Sequence, residues 1–124
     1  MEERLEQRLR MFHEGGQVRP HVIEFVTREL DALAATGRVV TEDTAGMMTS
    51  HLLMALTRLL DGEPLTEFPA DEQVAAELAD HPEALAEARA VAARAEATLH
   101  ASLPESEINL LGLHLAALAH NSRA

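Results

Sequence analysis

Residues Glu105–His120 read ESEINLLGLHLAALAH, and the placement of this one segment decides the fold. Ile108, Leu111, Leu115 and Leu118 form one stripe at helical spacing, and Leu110, Leu113 and Ala117 form a second. A helix apolar nearly all round has no face suited to water. It belongs at the centre of a bundle or at a contact between subunits. Just upstream, Ser102-Leu103-Pro104-Glu105 has the grammar of a helix start, with a hydroxyl residue three positions before an acid.

Working back along the chain, Leu85, Ala88, Ala92, Ala95 and Leu99 follow 3, 4, 3, 4 spacing, so a second helix presents one stripe to a partner. Its small residues let that partner approach closely. Asp80-His81-Pro82-Glu83 repeats the capping-box pattern at its start. A short helix from Asp71 to about Ala79 precedes it, and the two prolines of Glu63–Ala70 mark a loop. Thr41 is placed to cap a helix that runs through His51 to about Leu60, with Glu42 and Asp43 facing the positive end of its dipole and Asp61-Gly62 ending it. Pro20 opens a helix to about Thr36, stopped by Gly37, and a first helix spans about Glu2 to His13 before Gly15-Gly16.

Composition agrees with an all-α domain. The chain has 124 residues, of which 22 are Ala and 19 Leu, both strong helix formers. Phe12, Phe25 and Phe68 are its only aromatics, and the one β-like stretch, Arg38-Val39-Val40-Thr41, is too short to seed a sheet. Ten Arg and no Lys stand against 21 acids, a net charge of −11. Such a surface is unsuited to gripping a phosphate backbone, which argues against direct nucleic-acid contact. The absence of Cys excludes disulfides, thiolate metal sites and cysteine nucleophiles. No apolar run reaches the roughly 20 residues of a membrane span, and the charged start MEERLEQRLR is unlike a secretory leader. The expectation is a cytoplasmic protein without a membrane contact.

Seven histidines supply the candidate chemistry. His13, His81, His100 and His120 fall near predicted helix ends, where contact with water or free carbonyls explains them, and the spacing leaves His21 undecided. His51 and His114 lie mid-helix among apolar residues. Arg58 follows His51 by seven positions and Glu107 precedes His114 by seven, close to two helical turns in each case. The spacing alone favours core or interface histidines. A metal site from His51, His114 and Glu107 is the competing chemistry, although no two histidines share the i, i+3 or i, i+4 spacing of helical metal motifs. Neither a Ser-His-Asp site nor a phosphate-cradling glycine loop is legible.

The stretch His51-Leu-Leu-Met-Ala-Leu-Thr-Arg58, continued by Leu59-Leu60-Asp61-Gly62, resembles the first signature of a PTS regulation domain. Leu103-Pro104-Glu105-Ser106-Glu107 and Leu111-Gly112-Leu113-His114-Leu115 resemble the second, and Leu78-Ala79-Asp80-His81-Pro82-Glu83 resembles the middle segment. The resemblance covers about Val18 to Ala119. It implies a compact bundle of about five helices over 18–124, dimeric, with residues 1–17 as a helical extension. It implies a non-enzymatic regulator of carbohydrate use with no cofactor, sensing the sugar phosphotransferase system through phosphorylation of His51 and His114. Arg58 and Glu107 match the accompanying polar positions, Arg58 suited to hold a phosphoryl group and Glu107 to fix the ring of His114 or oppose its phosphorylation. The implied donors are the histidine-containing phosphocarrier or a permease component, and the output passes through a protein partner. Two alternatives share the sequence: a dimeric adaptor of the same fold without the switch, and, more remotely, a metal- or small-molecule-binding helical enzyme. The chain departs from the family in carrying Ser50 where an acid commonly precedes the first histidine, and in holding a single copy of the domain.

Overall fold

The computed structural model of the chain describes residues 1–122, so positions 123–124 of the expected domain lie outside the described residues. Six helices follow one another, α1 (Glu3–Glu14), α2 (Pro20–Ala35), α3 (Glu42–Leu60), α4 (Asp71–Leu78), α5 (Pro82–Leu99) and α6 (Glu105–Asn121), with no strand among the described residues. The fold is therefore all-α, and five of the six helices lie within 18–122.

Two of the helices organise the rest. α6 packs along α5 and also touches α4 and α3, while α3 packs against α1, α2 and α6. The α6 stripe Ile108, Leu111, Leu115 and Leu118 is buried, and its second stripe reaches the surface only in part, with Leu110 and Leu113 half-buried and Ala117 exposed. The alanines of α5 act as read from their spacing: Ala88 and Ala95 are wholly buried, and Leu85 and Ala92 pack against the core. Close approach is completed from α6 by Gly112, where an added Cβ would stand 3.1 Å from a Leu78 methyl and 3.6 Å from the Leu85 Cα. One continuous core results, and its largest fully buried side chains include Leu30, Leu53, Leu56, Leu115 and Leu118. Thr49 and Thr57 enter it because each hydroxyl donates to the carbonyl four residues back, at 2.8 and 2.7 Å.

Residues 1–17 share this core. Leu5 and Leu9 are buried, and the carboxylate of Glu2 accepts from the Arg4 amide of its own helix and from the Glu42 amide that opens α3, both at 2.7 Å. The Glu42 amide and then the Arg4 amide hold the Glu2 carboxyl below its usual range. Arg8 pairs with Glu42 through Nε and Nη2, and Arg4 with Asp43.

The helix ends are legible with two corrections. Thr41 caps α3 and forms a reciprocal box with Thr44, while Gly37 and Gly62 take the left-handed conformation after α2 and α3. The capping boxes read at Asp80–Glu83 and Ser102–Glu105 are not formed. In α5 the N-cap is His81, followed by Pro82; in α6 it is Pro104, whose side chain has no acceptor. α5 ends on His100 itself, held left-handed at φ 57° where glycine is the usual choice.

Candidate functional site

The contact between α3 and α6 brings His51, Arg58, Glu107 and His114 into one cluster. On either helix the seven-residue spacing amounts to a rise of about 10.5 Å, too long for a direct bond along the same face. The pairing is therefore made across the helices. Glu107, in the first turn of α6, sets one carboxylate oxygen 3.1 Å from Nε2 of His51 and the other 3.2 Å from Nη2 of Arg58, which donates to it. The sequence offered Glu107 either to fix the ring of His114 or to oppose its phosphorylation; the structure gives its hydrogen bonds to His51 and Arg58.

Burial gives this arrangement its chemistry. Glu107 is 3% exposed, whereas the side chains of His51 and Arg58 are 22% and 27% exposed. A carboxylate so buried is sustained by charge-assisted partners and by the positive end of its own helix. An ionised carboxylate only accepts hydrogen bonds, so Nε2 of His51 carries the hydrogen and donates it to Glu107. The far edge of Arg58 is less well served, because its Nε is buried without a partner among the described residues.

The ring of His114 lies 5.8 Å from that of His51, tilted by 39°. No side chain among the described residues bonds to its nitrogens. Burial, and secondarily the charge of His51, hold its proton affinity below that of an ordinary histidine. His114 thus favours its neutral form more than an ordinary histidine does, and its ring nitrogens have no bond to a described side chain.

Two neighbours were not legible as site residues. Phe68, from the loop between α3 and α4, approaches the His51 ring at 6.4 Å. It is positioned by Asp71, whose carboxylate accepts the Phe68 amide at 2.9 Å and lies 2.9 Å from the Ser106 hydroxyl of α6. Arg8, from α1, donates to the hydroxyl of Ser50 at 2.6 Å, directly beside His51 in sequence. Nothing local in the sequence links Phe68 or Arg8 to His51; only packing does.

The other five histidines, His13, His21, His81, His100 and His120, are exposed and stand outside the cluster. Among the described residues no three His, Asp or Glu side chains are grouped so as to hold a metal ion. A groove of about 570 Å³ between α1 and α2, lined in part by Leu9, His13, Ile23 and Thr27, shares no residue with the cluster. No described helix is long and apolar enough to cross a membrane. Comparison with protein-family models, with curated proteins and with solved structures gives no match.

Proposed function

We propose that this chain is a non-enzymatic regulatory domain of the PTS-regulation type, a homodimer that reads phosphorylation at His51 and His114. The observation that carries the reading is the convergence of four residues taken from two separate signatures, His51 and Arg58 on α3 and Glu107 and His114 on α6, with His51 and Glu107 56 positions apart. In this reading the five helices from α2 to α6 are the regulatory bundle, and α1 braces its α3 edge.

The chemistry is direct. A neutral imidazole nitrogen accepts a phosphoryl group, adding nearly two negative charges and three acceptor oxygens beside a buried carboxylate. Repulsion of Glu107 and recruitment of Arg58 then shift how α3 and α6 associate, and with them the faces offered to another protein. With a charge of −11, such a domain acts through a protein partner rather than on nucleic acid. The donor is the phosphocarrier or a permease component of the phosphotransferase system, in a cytoplasmic setting.

Incubation with phosphoenolpyruvate and the general phosphotransferase proteins, followed by mass spectrometry under neutral conditions, tests the reading. Acid-labile phosphate on His51 or His114 is the expected result, and its absence from both removes the sensing role. Light scattering tests the dimer, whose mass is expected at twice 13.5 kDa. One observation favours the adaptor reading without a switch: the residue before His51 is a serine held by Arg8 instead of an acid. Retention of partner binding in His51→Ala and His114→Ala would select it.

A further inference from the structure

We infer that residues 61–70 form a lid over His51, latched shut by the hydroxyl of Ser106, and that its opening sets how readily a reagent reaches that ring. The inference goes beyond the regulatory reading above, because it concerns access and holds whether or not the ring carries phosphate. Phe68 is the only member of the segment that is not exposed, and its ring lies 6.4 Å from that of His51, tilted by 53°. The segment has no second apolar anchor, since Leu65 is 44% exposed. A loop held by one half-buried side chain belongs to the low-stability end of a domain. It opens locally while the helices around it stay folded.

The bonds that close the lid converge on Ser106. The chain leaves α3 through Gly62, left-handed at φ 77°. Across residues 64–67 the Thr66 carbonyl is the only backbone group with a partner among the described residues, and that partner is the Ser106 hydroxyl at 2.9 Å. The same hydroxyl lies 2.9 Å from Oδ2 of Asp71, the oxygen that accepts the Phe68 amide. Ser106 therefore holds the span carrying Phe68 from both sides. It stands in the first turn of α6 beside Glu107, whose carboxylate meets Nε2 of His51. Latch and ring are thus tied to one turn of helix. With the latch made, Phe68 stands against His51, whose side chain is left 22% exposed. Exclusion of water there strengthens the bonds of Glu107 to His51 and Arg58. With the latch broken, the loop lifts, water enters and the ring is open to attack at its other nitrogen, Nδ1.

Diethyl pyrocarbonate, which acylates unprotonated imidazole nitrogens, reads this access. The full chain is labelled at neutral pH and each rate is mapped by mass spectrometry, with exposed His21 as reference and His114 as the control for loosening of α3 against α6. In the wild type His51 labels more slowly than His21. Ser106→Ala is expected to raise the His51 to His21 ratio about fivefold, the factor carried by one neutral hydrogen bond. Ser106→Thr, which keeps the hydroxyl, returns the ratio to its wild-type value, and Phe68→Ala raises it at least as far as Ser106→Ala. The His114 to His21 ratio stays unchanged throughout. An unchanged His51 ratio in Ser106→Ala overturns the latch, and one in Phe68→Ala overturns the lid. An equal rise at His114 shows general loosening and overturns both. Should Ser106→Ala unfold by circular dichroism, Phe68→Ala, placed in the exposed loop, decides by the same ratio. If the phosphotransferase proteins leave the chain unlabelled while these ratios move as expected, the regulatory reading fails and the lid stands.

Discussion

Replacing Arg58 by Ala tests the cluster most directly, because it removes one of the two groups that sustain a buried carboxylate. Arg58 donates Nη2 to Glu107 at 3.2 Å, and Glu107 is 3% exposed. Breaking a fully buried pair from one side costs about 3–5 kcal/mol, most of it the penalty of the charge left behind. Two features reduce that here. Arg58 is itself 27% exposed, so water can reach the vacated space, and its unpartnered Nε ceases to be a burden. The gain in helix propensity on going to Ala is only about 0.2 kcal/mol and changes little. The balance is a loss of about 2 kcal/mol, which for a domain of this size lowers Tm by about 6–10 °C. Urea melts of Arg58→Ala, Glu107→Gln and the double variant are the assay. With the charge removed, the double variant should cost at least about 1 kcal/mol less than the two single costs combined. Additivity within about 0.5 kcal/mol would refute the claim that Arg58 and Glu107 act as a pair.

Three further outcomes are expected. Leu53→Ala, at a site with no exposure on the central face of α3, should lose about 2–5 kcal/mol in chemical denaturation through the cavity it leaves. His100→Gly should gain about 1 kcal/mol, read as a higher Tm, because φ 57° strains a side chain and suits glycine. For His114 the sign follows from its lowered proton affinity: as pH falls through the ordinary value of 6.5, the unfolded chain takes the proton before the folded one does. Stability therefore declines as pH drops from neutrality and levels off below the folded value. His114→Asn should flatten that decline in melts across the same range, and an unchanged slope would count against a buried neutral ring.

The mutual dependence of the cluster and the core explains why these perturbations are informative. Glu107 sits one residue before Ile108, and Arg58 one residue after Thr57, so the polar bridge is built on the buried faces that hold α3 to α6. Phe68 and the Asp71–Ser106 contacts close the loop over the same place. A change of charge at His51 or His114 thus acts on an inter-helix contact rather than on a free surface.

The sequence by itself determined what local physics can carry. Alanine and leucine content with helical periodicity made the chain all-α, and Thr41, Gly37 and Gly62 marked helix ends, because propensity, capping and left-handed turns depend on neighbours within a few positions. It also nominated His51 and His114 as residues out of place among apolar neighbours, with Arg58 and Glu107 as the charged residues seven positions from them. Where proline took the first turn, at Pro82, or the N-cap itself, at Pro104, the same local grammar misread the cap. Only the tertiary structure decided which of the four meet which. The crossing of α3 and α6 handed the carboxylate of Glu107 to His51 and Arg58 instead of to His114, and left the His114 ring without a side-chain partner among the described residues, because two turns of helix separate partners that packing between helices joins within 3.2 Å. Phe68 and Arg8 arrived the same way, from a loop and a helix that no spacing rule connects to the histidines.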